Sequence, residues 1–314
     1  MLKFGYTILL RNANWLGNTP GAPLPPYTLR LRYKDGVTPT FSRGTATQVS
    51  SSPNIWDLTY EYGYWDYLCG GHTDLLEVIS GNTTGVIALF RMFEGCSSLT
   101  SVAMLDTSNV TTMYCMFLNC SSLTSVQLFD TSNVTNMNGM FHSCTSLTTI
   151  PAFDTSSATI MTGMFNGCTS LESVPLFNTS NVTAMNWMFN NCSSLKAVPL
   201  FDTSKATQMD FMFSDCTALT TVPLFDTSSA LDTERMFYNC SSLTAVPLFD
   251  TTNIGYMSNM FNGCYKVESG ALALYNQASS QVIPPTEHEH AFMNCGRDTV
   301  TGAAELAQIP LGWK

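Results

Sequence analysis

The dipeptide Met-Phe recurs at Met92–Phe93, Met116–Phe117, Met140–Phe141, Met164–Phe165, Met188–Phe189, Met212–Phe213, Met236–Phe237 and Met260–Phe261, every 24 residues and without an insertion. A fixed period between 20 and 50 residues is the signature of a solenoid, in which no unit buries its apolar face alone and each stacks on its neighbours. A chain with this period therefore has little freedom to fold as anything else.

Within a unit the apolar spacing changes. Val182, Met185, Met188, Phe189, Cys192 and Leu195 are separated by 3, 3, 1, 3 and 3 residues, which predicts one face of a short helix. Leu195, Val198 and Leu200 then read as a short strand, and "DTS" as a turn leading into the next helix. The residue before each cysteine is Gly95, Asn119, Ser143, Gly167, Asn191, Asp215, Asn239 or Gly263, types that tolerate a left-handed helix end, so the helix is predicted to stop there.

Counting back one period, Leu75, Val78, Asn82 and Val86 fall on the positions of Leu99, Val102, Asp106 and Val110, so a degenerate first repeat places the start of the solenoid near residue 65. Phe261 and Cys264 are echoed by Phe292 and Cys295, 31 residues on, seven more than the period. "TGAAELAQIP" after that insertion predicts a capping helix. Residues 1–64 lack the period. They carry a Pro-rich stretch, "NTPGAPLPP", read as a linker or arm, and "YTLRLRYKDGVTPTF", which alternates and turns at Asp35–Gly36 as a hairpin does. The expected organisation is a β-rich attachment segment over 1–64, a solenoid over 65–270, and an atypical closing repeat over 271–314.

The phrase "DTSNVT-x-M-x-x-MF-x-x-C-SSL" resembles the BspA-like leucine-rich repeats of bacterial surface proteins, over about residues 72 to 295. The resemblance implies an α/β leucine-rich-repeat solenoid, right-handed, with short parallel strands on one side and short helices on the other. It also implies non-catalytic binding or adhesion by exported, anchored proteins. The family's unit is slightly longer between the strand and "FDTS", which leaves open whether the column of Phe129, Phe153, Phe177, Phe201, Phe225 and Phe249 faces inward. From its residue type the column is read as core. The segments "NIWDLTYEYGYW" and "NCGRDTVTGAAELAQIP" look similar to repeat proteins encoded by phages of gut bacteria.

Each motif that suggests chemistry has a structural reading. The ladder Cys96, Cys120, Cys144, Cys168, Cys192, Cys216, Cys240 and Cys264 stacks within disulfide reach. Every thiol has two equivalent neighbours, however, so the ladder is read as reduced, buried packing. Without a "C-x-x-C" no zinc site is expected. The aspartates Asp106, Asp130, Asp154, Asp202, Asp226 and Asp250, with Asn178 in one copy, are read as acceptors for backbone N–H groups of the "DTS" turn rather than as a calcium ladder. "EHEH", Glu287 to His290, offers two imidazoles without a third fixed ligand. His72, at a cysteine position, is read as packing and His142 as surface. No nucleophile–base pair or phosphate loop appears, so no catalytic residue, metal ligand or cofactor is expected.

The wording that varies lies just before and after "MF". Tyr114, Trp187, Phe211 and Tyr238 are expected as exposed aromatics on the convex helical side, and together with Arg235 they form the candidate partner-binding residues. The strand side, Ser125, Gln127, Thr149, Pro175 and their equivalents, reads as small and monotonous. Charged residues make up only 11%, against roughly 25% in an ordinary soluble chain. A net charge of −10 with no basic cluster argues against nucleic acid, and no stretch reaches the ~18 apolar residues of a membrane span. "MLKFGYTILLRNANWLG" lacks the long apolar core of a signal peptide, so no Sec route or tether is expected. The leading expectation is a phage virion component, tail- or fibre-associated. It would dock on other virion proteins through residues 1–64 and present the solenoid to a host-surface protein or glycan. The alternative is a bacterial BspA-like adhesin, cell-surface or secreted.

Overall fold

The computed structural model describes residues 27–41, 43–60 and 65–314. The N-terminal apolar run and the Pro-rich arm lie outside the described residues. Successive coils are joined by parallel backbone pairs one period apart. Ala88 pairs with Thr112, Thr112 with Asn136, and the series runs through Ile160, Ala184, Gln208, Asp232 and Tyr256 to Glu287.

Around each pair the amide groups divide by parity. Met185, Trp187, Phe189 and Asn191 donate to the carbonyls of Gln208, Asp210, Met212 and Ser214 in the next coil, at 2.7–3.0 Å. The intervening Met188, Asn190 and Cys192 close three-residue turns onto Met185, Trp187 and Phe189. An α-helix would commit all of these N–H groups to carbonyls four residues back. The helix expected on this side is therefore absent, and the segment is a run of turns carrying the coil-to-coil ladder. All eight residues preceding the ladder cysteines, Gly95 through Gly263, do have positive φ. A second left-handed position precedes "MF", at Arg91, Cys115, Gly139, Gly163, Trp187, Phe211, Arg235 and Asn259. Two left-handed residues four apart aim alternate N–H groups along the solenoid axis and rule out a continuous helix.

The expected strands are corrected as well. Leu195–Leu200 forms no strand, and its coil-to-coil backbone bonds are two, Lys196 N–H to the Glu172 carbonyl and Thr220 N–H to the Lys196 carbonyl. The paired side of the coil is the one that reads as helix, and the side that reads as strand carries few rungs. Apart from a two-residue strand at Ser101–Val102, the architecture over 87–270 is thus a solenoid of turns and single-residue bridges, with no helix among the described residues.

Regular elements close the two ends. Strands β1 (Thr28–Tyr33), β2 (Thr45–Ser51), β3 (Asn54–Thr59), β4 (Leu75–Asn82) and β5 (Ser101–Val102) form one sheet in the order β2-β3-β1-β4-β5. β4 belongs to the first coil and pairs antiparallel with β1 and parallel with β5, so the sheet grows directly out of the repeats. The expected hairpin at Asp35–Gly36 does not form. The chain turns there, but β1 pairs with β3 and β4 instead of the segment that follows. Arg30 and Asp57, opposite one another on β1 and β3, form a buried two-pronged ion pair at 2.8 and 2.9 Å. At the other end helix α1 (Ala271–Ser279) fills the insertion, unforeseen in the sequence, and α2 (Val300–Gln308) is the expected cap. Trp313, in the terminal 3-10 turn, packs on Phe292 at 6.4 Å and ends the aromatic stack.

Two columns of phenylalanine fill the coils. Phe189 lies 5.5 Å from both Phe165 and Phe213, within 10° of parallel, and 6.0 Å from Phe201 of the second column. The second column, Phe129 through Phe249, is at most 4% exposed and therefore faces inward. Beside it runs a hydrogen-bonded row of threonines, the middle letter of "DTS". Thr179, Thr203 and Thr227 are buried, and each hydroxyl donates to the carbonyl of Asp202, Asp226 or Asp250 one coil on, at 2.7–2.8 Å.

This inward–outward order has a direct test. Phe201→Ala opens a cavity in a stacked column and is expected to lower unfolding free energy by about 3–5 kcal/mol. Leu200→Ala, one residue away and 59% exposed, is expected to change it by less than about 0.5 kcal/mol. Chemical denaturation of the two variants checks both values.

Candidate recognition site

The cysteine ladder is occupied structurally. All eleven cysteines are free and buried. The Cys192 Sγ donates to the Phe165 carbonyl at 3.1 Å, and the same bond repeats from Cys120 to Cys264. That carbonyl already accepts the N–H of Cys168, so the thiol fills its second lone pair. A small apolar side chain with one weak donor suits this place. Burial pushes the ladder thiols well above the ordinary thiol range, which keeps them protonated and unreactive.

The aspartates do what the turn reading predicts. Asp202 Oδ1 accepts from the Ser204 N–H at 3.1 Å and from the Ser204 hydroxyl at 2.6 Å, and Asn178 serves Ser180 in the same way. Bonds from Ser204 hold Asp202 below the usual carboxylate range. "EHEH" turns out to be an ordinary rung of the last coil: Glu287 pairs with Tyr256, and His290 occupies the left-handed position before the aromatic. His288 stacks on Trp313 at 4.0 Å and bonds the Pro285 carbonyl, while His290 is exposed. His72 is half-buried, bonded to the Tyr33 hydroxyl at 2.6 Å and tilted against Phe41. Among the described residues no group of three His, Cys, Asp or Glu side chains is placed to hold a metal ion.

Trp187, Phe211 and Arg235 occupy one column in three consecutive coils. The Trp187 and Phe211 rings stack at 4.1 Å and 10°, and the Arg235 guanidinium lies 5.2 Å from the Phe211 centroid and 6.0 Å from that of Tyr238. They sit on turns, not on a helix, and are half-buried by one another rather than fully exposed. Tyr114 is separate. It stacks on Phe90 at 4.7 Å, three coils away from Trp187 and one residue before the left-handed column, which Cys115 occupies in its coil and Gly139 and Gly163 in the coils between. The predicted residues therefore divide into a group of four and one outlier.

Three carboxylates border the group: Asp210, Asp232 and Glu234, the last 3.7 Å from Arg235. Their role was not foreseen in the sequence, although Asp210 and Glu234 stand in the variable column beside Phe211 and Arg235. Burial pushes Asp210 up to about 6, with the nearby Asp232 charge adding to the shift.

The backbone singles this column out. Trp187, Phe211 and Arg235 have φ of 62, 55 and 52°, where glycine alone is unstrained. An L side chain there costs about 1–2 kcal/mol. Gly163 holds the same conformation, and a Cβ added to it would meet no heavy atom closer than 3.8 Å. Glycine thus satisfies the fold at this position, and three successive coils carry large stacked side chains instead.

Comparison with known proteins gives a family and several solved relatives. The family described as "Mycoplasma protein of unknown function, DUF285" matches residues 87–197 and 170–273. No curated protein matches the chain. A leucine-rich-repeat protein of T. pallidum is similar at 18% identity and a TM-score of 0.45, over 79% of this chain and 99% of that one. A leucine-rich-repeat protein of Eubacterium ventriosum gives 17% and 0.38, over 60% and 64%. A leucine-rich cell-surface protein of Faecalibacterium prausnitzii gives 18% and 0.34, over 77% of each chain.

Two measurements check these assignments. A thiol reagent is expected to modify essentially none of the cysteines in the native protein and all 11 after denaturation. A native chain reacting at several ladder positions would contradict the packing role. For Asp210, the raised folded value means that between about pH 4 and 6 the folded chain holds a proton that the unfolded chain has released. Stability is therefore expected to fall as pH rises through that window, and Asp210→Asn to remove this part of the fall. Denaturation midpoints at pH 4, 5, 6 and 7 compare the two proteins.

Proposed function

The chain belongs to the family described as "Mycoplasma protein of unknown function, DUF285", and we propose that it is a non-catalytic recognition protein of a bacterial surface or secretion, presenting its solenoid to a protein or glycan partner. The observation that carries this reading is the left-handed column where Trp187, Phe211 and Arg235 stack in three successive coils while Gly139 and Gly163 hold the same conformation without a side chain, with Tyr238 alongside. Side chains kept at a strained position where the fold accepts glycine point to a task outside the fold. Stacked rings beside an arginine offer a rigid amphipathic platform of the kind found at the centres of interfaces. Tyr114 and Phe90 form a second, smaller platform.

The bacterial setting is supported by the family's description, which comes from a bacterium. The virion reading rests on the absent signal, the low charge, the reduced cysteines and resemblances at the two ends of the chain, and no comparison adds support for it. Residues 1–64 as the attachment segment, 65–270 as the presenting solenoid and 271–314 as its closing end remain part of the proposal. The net charge of −10 keeps nucleic acid out of it. Among the described residues no helix is long and apolar enough to cross a membrane.

The test uses glycine, which two coils already carry at this place. Fluorescent full-length protein is applied to glycan and extracellular-protein arrays beside the variant Trp187→Gly/Phe211→Gly. Signal is expected to fall at least tenfold in the variant, with its melting temperature within a few degrees of the parent. Equal signal at equal stability would remove this column as the recognition site.

A further inference from the structure

A second surface, on a different side of the coil from Trp187, carries its own pattern. Over residues 200–203 burial alternates: Leu200 and Asp202 face out, Phe201 and Thr203 face in. The same alternation holds in each coil from 104–107 to 248–251. Met104, Leu128, Leu176, Leu200, Leu224 and Leu248 consequently stand in one outward column, each 53–65% exposed, and the aspartate ladder stands in the next. Soluble monomers rarely leave so long a row of large apolar side chains uncovered.

The coils splay toward this side. Phe165, Phe189 and Phe213, in the column nearer the backbone ladder, follow one another at 5.5 Å. Phe177, Phe201 and Phe225, each one residue from the ridge, follow at 6.3 and 6.4 Å, and Phe129 and Phe153 at 6.4 Å. Pro151, Pro175, Pro199, Pro223 and Pro247 stand immediately before the ridge and have no N–H with which to form a rung at that position.

The fold does not require either outward column in this form. Its packing uses Phe201 and Thr203, and the coil of Phe153 has only Ala152 at the ridge position. The turn needs one side-chain acceptor, which Asn178 supplies without charge. Asp202 gives only Oδ1 to that turn, and serine or threonine bonds keep Asp106, Asp154, Asp202 and Asp250 ionised to lower pH than usual.

We propose that this face binds an extended peptide segment of a partner protein in which apolar and basic residues alternate, laid along the solenoid axis between the two columns. An extended chain sends successive side chains to opposite sides, and one lying there directs alternate residues to the leucines and the intervening ones to the carboxylates. It advances about 6.4–6.8 Å every two residues, against the 6.3–6.4 Å repeat beside the ridge, so each coil meets one apolar and one basic residue. Over the unbroken run Leu176, Leu200, Leu224 and Leu248, about seven residues of such a segment stay in step to within about 1.5 Å. An α-helix advances about 5.4 Å per turn and falls about 3 Å behind over the same run, without pairing one residue to each column. Charge fixes the basic half of the partner. A second copy of this chain brings the same acidic row and a net charge of −10, and an anionic bilayer is repelled by the same carboxylates.

The full-length protein is titrated at low salt against three eight-residue peptides blocked at both ends. One has Leu and Lys in strict alternation, one has Leu and Glu in strict alternation, and one has the same Leu and Lys in successive pairs. The alternating Lys peptide is expected to bind at least tenfold tighter than either of the others. The variants are Leu176→Ala/Leu200→Ala/Leu224→Ala and Asp202→Asn/Asp226→Asn, whose substitutions imitate Ala152 and Asn178 and leave the fold intact. The leucine variant is expected to lose at least tenfold, and the aspartate variant several-fold with the difference shrinking in high salt. Trp187→Gly/Phe211→Gly is expected to bind the peptide like the parent, which separates this surface from the Trp187 column; a tenfold loss there overturns the proposal. Equal binding of the alternating and paired Lys peptides, or leucine and aspartate variants that bind like the parent, also overturns it. Sedimentation of the parent as a dimer that the leucine variant dissolves assigns the ridge to a second copy. Vesicle binding lost in that variant assigns it to lipid. Either result overturns the proposal as well.

Discussion

Axial hydrogen bonding between coils is the constraint on which the other features depend. Alternate N–H groups of each "x-M-x-x-MF-x-x-C" segment point to the next coil, and they do so only because two residues per coil adopt a left-handed conformation. Once that ladder is set, position i in one coil lies over position i in the next. Phenylalanine must then stack on phenylalanine, threonine hydroxyl must reach the carbonyl one coil on, and thiol must meet carbonyl. The period admits no insertion until residue 270 because a single extra residue would break all of these columns together.

This ordering by columns separates the roles of the residues. Inward columns are nearly invariant from coil to coil, since each member is packed by a copy of itself above and below. Outward columns are bound only by the backbone they stand on. Gly139, Gly163, Trp187 and Phe211 share one such column, and Met104, Ala152 and Leu200 share another. Variation in the first, and apolar exposure maintained in the second, are properties that packing alone does not produce. Side chains in these columns are the ones that the stacking leaves unexplained.

Much of this was legible in the sequence, and the failures share a cause. The period, the buried cysteines, the capped "DTS" turn and α2 follow from spacing and residue type. The left-handed residue before cysteine was visible because glycine and asparagine dominate there. Its counterpart before "MF" was hidden, since Trp187, Phe211, Arg235 and Cys115 are not residues that signal positive φ. Without it, spacings of three and four read as a helix, and the strand was then placed on the opposite side. A turn ladder and a short amphipathic helix bury the same positions, so periodicity cannot distinguish them. Leu195, Val198 and Leu200 have strand spacing in the sequence. That Leu200 faces outward, and Phe201 inward, depends on where the extended segment begins to alternate, and apolar identity at both positions conceals it. Helix α1 is hidden because its "ALALYNQAS" falls in an insertion that lies outside the 24-residue period.

The direction of the ladder also has a mechanical meaning. Because the bonds between coils run along the solenoid axis, a force pulling the two ends apart loads the interfaces in series, like the teeth of a zip opened from one end. Each coil that detaches exchanges about 5 Å of stacked height for up to roughly 80 Å of extended chain. A tension applied through the terminal caps would be relieved one coil at a time, while the remaining coils keep their packing. Such a chain held between two bodies behaves as an extensible tether whose reach is set by the number of its repeats.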